Sequence, residues 1–176
     1  VPFAELTNEN LEALEAGLPN LLQHIDNIKN VYKLPCVVAV NAFPTDTAAE
    51  LELVQKRCKE LGVNVALSEV WAKGGEGGKA LAEEVVRLCE EPNDFSFAYE
   101  LDNTIEAKLN TIAQRIYHAD GVVLTAEAKQ QAAKLEELGF GGLPLCMAKT
   151  QYSFSDDATK LGAPKGFTVT VRELKV

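Results

Sequence analysis

The sequence contains little basic charge. Its 17 lysines and arginines stand against 26 acidic residues, which gives a net charge of −9 over 176 residues. A nucleic-acid partner is not expected, because there is no cluster of basic side chains to displace counterions from phosphates. No apolar run approaches the roughly 20 residues of a bilayer-spanning helix, and no secretory signal is visible. We therefore expect a cytoplasmic protein without a membrane or nucleic-acid partner.

Cysteine and histidine are also scarce. The four cysteines form no Cys-x-x-Cys pair, and neither of the two histidines lies at ligand spacing from a cysteine. This pattern predicts no metal site. The cysteines lie within apolar patterns, which favours buried free thiols in a reducing compartment. Neither histidine has an acidic or nucleophilic neighbour in sequence, so no catalytic residue is predicted.

Hydrophobic periodicity predicts alternating helices and strands. Two consecutive β-α units predict a parallel sheet with right-handed crossovers. The fold class is therefore α/β: a mostly parallel sheet with flanking helices over 1–92, like half of a P-loop nucleotide-binding domain, followed by a small α+β domain over 93–176. The predicted helices cover 11–29 (capped by Thr7, with a kink or second start at Pro19), 46–61 (capped by Asp46), 78–89, 101–117 and 125–138 (capped by Thr125). The predicted strands cover 36–41, 63–68, 95–99, 121–124, 143–148 and 167–174.

Aromatic residues follow two of the predicted strands. The first strand, predicted to be buried on both faces, ends on Asn41 and leads into Phe43 and a turn at Pro44 and Thr45. The second leads through Leu67 into the segment that carries Trp71, the only tryptophan. Ligands bind outside the carboxyl ends of the strands in open α/β sheets. The two rings therefore predict a slot for a flat heterocycle.

Each of these residues also has a simpler interpretation. Phe43 and Trp71 are compatible with core packing, and Asn41 with an ordinary turn instead of recognition of a base or carbonyl. Glu69 and Lys73 flank Trp71, where they could orient a polar ligand edge or form a surface ion pair of little energetic value. Only the placement of both rings at matching strand ends favours a site.

A glycine-rich segment at 73–80 does not fit a P-loop. The pattern GxxxxGK[ST] requires glycine where Lys73 stands and serine or threonine where Ala80 stands. An anion-binding helix start and a flexible hinge are both left open. The polar and aromatic loop over 149–166, with Ser153 and Ser155, is either a binding loop or a packing contact.

Three runs, at 34–47, 68–77 and 145–157, closely resemble bacterial formate–tetrahydrofolate ligases, and the resemblance extends over essentially the whole chain. It implies the ATP-dependent formation of 10-formyltetrahydrofolate from formate and tetrahydrofolate through formyl phosphate. It also implies Mg²⁺ with ATP, activation by a monovalent cation, and a homotetramer.

The resemblance also implies roles for individual residues. Phe43 and Trp71 would hold the pterin ring, with Leu67 lining the same pocket. The other candidate folate-binding residues are Asn41, Glu69 and Lys73, with possible loop contacts from Pro44, Thr45, Ser153 and Ser155.

The family's P-loop, and the arginine that holds formyl phosphate, have no counterpart in this sequence. The chain begins Val1-Pro2 without an initiator methionine. We therefore expect a C-terminal portion of the ligase that carries the folate pocket and is inactive alone, with tetrahydrofolate and the remainder of the ligase as partners. The alternatives are a non-catalytic assembly module that pairs with a separate N-terminal portion, and an unrelated small α/β nucleotide enzyme.

Overall fold

A computed structural model describes residues 1–149 and 151–176, so that Thr150, within the predicted loop 149–166, lies outside the described residues. The chain divides into two compact units, Val1–Phe95 and Ser96–Val176. Unit 1 contains α1 (Leu11–Asp26), β1 (Val37–Asn41), α2 (Ala48–Glu60), β2 (Asn64–Ser68), α3 (Val70–Lys73) and α4 (Lys79–Cys89), with 3-10 turns at Phe3–Glu5 and Gly74–Gly78 and a π-helical turn at Asn27–Val31. Unit 2 contains α5 (Ile105–Arg115), β3 (Gly121–Leu124), α6 (Ala126–Glu137), a 3-10 turn at Phe140–Gly142 and β4 (Thr168–Val171).

The sheet of unit 1 consists of two parallel strands. β1 and β2 pair in register from Val37 opposite Asn64 to Asn41 opposite Ser68. This parallel β-α-β arrangement confirms the α/β fold class. The strands pack on α1 and α2 through a core of apolar side chains. That core contains Ile25, Cys58 and Val63, with Leu21, Leu22, Val38, Val54 and Val65 packed against it.

The prediction that β1 is buried on both faces was wrong. Ala39 and Asn41 are exposed in this structure, although parallel strands usually have both faces covered. The reason is the size of the sheet, since β1 has β2 as its only neighbour in the described part of the chain.

Two of the predicted helix starts were also wrong. α1 is capped by Asn10, whose Oδ1 accepts the N–H of Ala13 at 2.8 Å, because Asn10 directly precedes the first apolar residue of the helix. The helix then runs through Pro19 without a second start. α2 is capped by Thr47 in a capping box with Glu50, a reciprocal pair that outcompetes Asp46.

The two helix starts of unit 1 are joined through one carboxylate. Glu50 accepts the N–H of Asn10 at 3.0 Å as well as the N–H of Thr47 at 3.1 Å. These main-chain donors, Asn10 first, lower the pKa of Glu50. The carboxylate therefore ties the start of α1 to the start of α2.

Unit 2 has its own parallel pair, β3 with β4. The predictions of β3 and of α6 capped by Thr125 are confirmed, and β4 is shorter than expected. The predicted strands over 95–99 and 143–148 were wrong, since neither segment forms a strand. In the second segment, main-chain groups form hydrogen bonds with side chains instead of with a neighbouring strand. The Tyr99 hydroxyl accepts the N–H of Leu145 at 2.7 Å, and the buried Lys108 ammonium donates to the carbonyl of Leu143 at 3.1 Å.

We predict that the ionised Glu84 stabilises unit 1 and that this stabilisation is lost in acid. Hydrogen bonds from Arg87, and then from Asn64 of β2, lower the pKa of Glu84 from its ordinary 4.5 to about 2. Because the folded pKa is the lower one, this stabilisation is fully present above about pH 4.5 and is lost as the pH falls towards about 2. Glu84→Gln should therefore lessen the loss of stability between about pH 5 and pH 3, measured by urea unfolding.

The control for this experiment is Glu83→Gln, which changes an exposed residue on the same helix. It should leave the pH dependence as it is in the parent protein. An equal effect of the two variants would contradict the assignment to Glu84.

Candidate functional site

The candidate site begins where β1 and β2 end. Asn41 is opposite Ser68 in the ladder, and the next residue, Ala42, donates its N–H to the carbonyl of Ser68 at 3.0 Å. The two strands therefore end level with each other. The segments that follow them start at the same edge of the sheet, which is where parallel sheets place their ligands.

The structure brings the two predicted aromatic residues together at this edge. The ring centroids of Phe43 and Trp71 are 6.3 Å apart with an interplanar angle of 23°. This separation lies within the range of interacting aromatic pairs, about 4.5–7 Å. Phe43 is 54 % exposed and Trp71 is 56 % exposed. Neither ring is part of the core, so both have surface free for another molecule.

Hydrogen bonds hold the indole of Trp71 and the main chain that carries Phe43. Trp71 is carried by the short helix α3, and its indole Nε1–H donates to the carbonyl of Ala42 at 2.9 Å. The main-chain N–H of Phe43 donates to Oδ2 of Asp46 at 2.8 Å, and the N–H of Asp46 donates back to the carbonyl of Phe43 at 3.0 Å. Ala42 and Asp46 were not among the predicted site residues. The turn-forming sequence after Phe43 could have indicated the role of Asp46. No sequence feature could have indicated that the Ala42 carbonyl accepts the indole N–H.

The separation of the rings sets a limit on what fits between them. Two van der Waals contacts of about 3.5 Å each place the faces of a sandwiching pair roughly 7 Å apart. The centroids are 6.3 Å apart. The face-to-face spacing of an offset pair is no larger than its centroid separation, so a flat ring enters between them only if the two side chains part by about an ångström or more. Phe43 lies in an exposed loop, where such movement is common.

The other predicted site residues of unit 1 are close in sequence to the aromatic pair. Lys73 Nζ and Glu69 Oε2 form an ion pair at 2.6 Å, one helical turn apart. The Lys73 and Glu69 side chains are 58 % and 43 % solvent-exposed, so the pair contributes little to stability and its groups are accessible to a ligand. Asn41 is exposed at the end of β1, Leu67 is half-buried opposite Val40, and Pro44 and Thr45 are exposed in the Phe43 turn.

The glycine-rich segment forms a packed turn. The carbonyl of Gly77 accepts the N–H of Glu69 at 3.0 Å, and the ammonium of Lys73 is occupied by Glu69. Gly74 has φ of +59°, a conformation that favours glycine. This geometry differs from that of a P-loop, since the segment closes on itself through the Glu69–Gly77 hydrogen bond. It also favours an ordered turn over a flexible hinge.

The structure places the other two predicted contacts in unit 2. Ser153 and Ser155 are buried, and their hydroxyls accept the N–H groups of Ser155 and Asp157 at 3.1 and 3.0 Å. These are local turn-forming hydrogen bonds. In this structure neither hydroxyl is presented to solvent.

Unit 2 also contains a cavity of about 620 Å³. Lys149 and Asp156 lie in its wall, and burial lowers the pKa of Lys149. The Lys149 ammonium lies 5.2 Å from the ring centroid of Tyr117 and 5.7 Å from that of Phe154, so aromatic faces stabilise it. The Phe43–Trp71 pair is not part of this cavity.

Two searches of the described residues bear on other kinds of site. Over 1–149 and 151–176, no group of three or more histidine, cysteine, aspartate or glutamate side chains could hold a metal ion. None of the helices in those ranges is long and apolar enough to cross a membrane.

The fold and the exposed rings define a class of protein: an α/β protein with a candidate ligand site at the carboxyl ends of parallel strands. Comparison with known families narrows the class. The family model for formate–tetrahydrofolate ligase matches residues 1–176. The chain therefore belongs to the formate–tetrahydrofolate ligase family, as the resemblance of its three sequence runs predicted.

We predict that Asp46→Ala releases the Phe43 turn. The substitution removes the carboxylate that accepts the N–H of Phe43, so we expect a loss of roughly 1 kcal/mol of stability and faster acrylamide quenching of Trp71. Thr45→Ala, in the same exposed turn, is the control. Equal behaviour of the two variants in quenching and in urea unfolding would contradict the role given to Asp46.

Proposed function

We propose that this chain carries the tetrahydrofolate-binding part of a formate–tetrahydrofolate ligase, with the pterin ring held by Phe43 and Trp71. The observation that supports this proposal is the stacked, half-exposed pair at the ends of β1 and β2. A pterin is flat and aromatic, and each offset-stacked contact contributes about 0.5–1.5 kcal/mol beyond the burial of area. Membership of the ligase family supplies the identity of the ring.

Polar groups beside the pair suit the edge of a pterin. That edge presents N–H donors and a carbonyl acceptor, which the Glu69 carboxylate and the Asn41 amide complement. Lys73 is paired with Glu69 at 2.6 Å and orients its carboxylate. Leu67, Pro44 and Thr45 supply the apolar and turn contacts around the ring.

We assign the activation of formate to residues outside this chain. The family reaction transfers the γ-phosphoryl group of ATP to formate, and the amine of tetrahydrofolate then attacks formyl phosphate and displaces phosphate. In this chain the glycine-rich segment has Lys73 and Ala80 where a P-loop requires glycine and a serine or threonine, and its turn is closed by the Glu69–Gly77 hydrogen bond. The contribution of this chain is to hold and orient the folate. Mg²⁺ and a monovalent cation would act with the portion that binds ATP.

A specific observation favours a second role, in assembly. β1 and β2 have no other strand neighbour among the described residues, and a two-stranded sheet is marginal by itself. The outward side of α4 also leaves Val85 and Val86 exposed. We propose that the remainder of the ligase continues this sheet, in a cytoplasmic homo-oligomer.

Tetrahydrofolate should quench the fluorescence of Trp71, because a ring stacked on the indole perturbs its excited state. We expect saturable quenching in a titration to about 1 mM, and at least a tenfold weaker response in Phe43→Ala. Phe3→Ala is the matched control, since Phe3 is an exposed phenylalanine of the same unit. Quenching by ATP without quenching by folate would overturn the proposal and favour a nucleotide enzyme.

The assembly role predicts complementation. The chain alone should form no 10-formyltetrahydrofolate from ATP, formate and tetrahydrofolate. Addition of a separately expressed N-terminal portion of a family ligase should restore product, and Trp71→Ala in this chain should reduce the restored rate at least tenfold. Product formed by this chain alone would show that formate activation does not need the missing portion.

A further inference from the structure

The glycines of the 74–78 turn differ in what surrounds them. A Cβ added at Gly77 would lie 2.5 Å from the carbonyl carbon and oxygen of Glu69 and 2.9 Å from the nitrogen of Val70. One added at Gly78 would lie 2.8 Å from Cγ1 of Val70. Gly75 has no atom within 4 Å of such a Cβ, and its φ is not positive.

The atoms that crowd Gly77 form the peptide on which α3 begins. The Glu69–Val70 peptide directly precedes Trp71, and its carbonyl accepts the N–H groups of Ala72 and Lys73 at 3.0 and 2.9 Å. The N–H of Glu69 donates to the carbonyl of Gly77. The turn is thus closed at one point, where the main chain of residue 77 lies directly against the first peptide of α3.

We propose that Gly77 and Gly78 are positioning residues for Trp71, because the absence of their side chains lets α3 pack at the distance that aligns the indole with Phe43. The relevance of this alignment to folate binding rests on the proposed function above. Since real Cβ atoms do not approach closer than 3.0 Å, a side chain at residue 77 forces residue 77 and the Glu69–Val70 peptide apart by at least half an ångström. A displacement of the start of α3 lengthens or bends the 2.9 Å hydrogen bond from the indole to Ala42.

This explanation differs from the two that the sequence left open. A hinge would make Gly75 and Gly77 equivalent, because both would act through backbone freedom alone. An anion site would depend on the main-chain N–H groups at the start of α4, which an alanine at either position retains. Close packing instead predicts that Gly77 responds to an alanine substitution and that Gly75 does not.

The first experiment compares Gly77→Ala with Gly75→Ala in the free protein. Trp71 is the only tryptophan, so the indole N–H gives a single resonance in a ¹H–¹⁵N spectrum. Gly77→Ala should shift this resonance and speed its exchange with solvent at least tenfold, whereas Gly75→Ala should leave both unchanged. Equal responses of the two variants, or no response to Gly77→Ala, would overturn the proposal.

A second set of variants tests the proposal at Gly78, in case Gly77→Ala does not fold. The clash at Gly78 is with a side chain, so Val70→Ala should restore the indole resonance of Gly78→Ala to its parent position. The clash at Gly77 is with main chain, so Val70→Ala should not rescue Gly77→Ala. Failure of the rescue at Gly78 would overturn the assignment of that contact.

Tetrahydrofolate titrations separate this inference from the proposed function. If the parent protein binds tetrahydrofolate, Gly77→Ala should raise the Kd at least tenfold and Gly75→Ala less than twofold. If the parent does not bind, the proposed function fails, while the indole resonance still decides whether the glycines position Trp71. A Kd unchanged in Gly77→Ala, despite a shifted indole, would show that the alignment is irrelevant to binding.

Discussion

The level ending of two parallel strands is the constraint on which the candidate site depends. The ladder pairs Asn41 with Ser68, and two further hydrogen bonds extend it, from Ala42 N–H to Ser68 and from the Trp71 indole back to Ala42. A register slip of two residues would displace one loop from the other by roughly 7 Å. That distance is as large as the ring separation itself. The ring pair is therefore a property of strand register and not only of the loops.

Much of this arrangement could be predicted, because it follows from local patterns. Apolar runs separated by an amphipathic helix predict parallel strands, and parallel strands deliver their following loops to one edge. These two rules were sufficient to predict that Phe43 and Trp71 lie at the same edge of the sheet. The cap of α2 was also readable, since Thr47 followed three residues later by Glu50 is a capping box. Asp46, the predicted cap, does not cap the helix, and its carboxylate accepts the N–H of Phe43.

Other features could not be predicted, because the groups that decide them are distant in sequence. The extended segment 143–148 has the composition of a strand, yet Tyr99 and Lys108 supply its hydrogen bonds from 46 and 35 residues away. The exposure of Ala39 depends on how many strands the sheet has, which no property of β1 itself indicates. The packing of Gly77 against Glu69 could not be predicted either. A glycine-rich sequence is equally compatible with a hinge or an anion site.

The energetics of the ring pair explain why a folate site of this kind would need more than this chain. Two stacked contacts contribute about 1–3 kcal/mol beyond area burial, and covering the exposed halves of both rings removes roughly 200 Å² from water, worth about 5 kcal/mol. Association costs at least about 4 kcal/mol, whereas micromolar affinity requires about 8 kcal/mol net. The pair by itself therefore supports orientation and weak binding. On the proposed function, tighter binding therefore requires contacts in addition to the two rings.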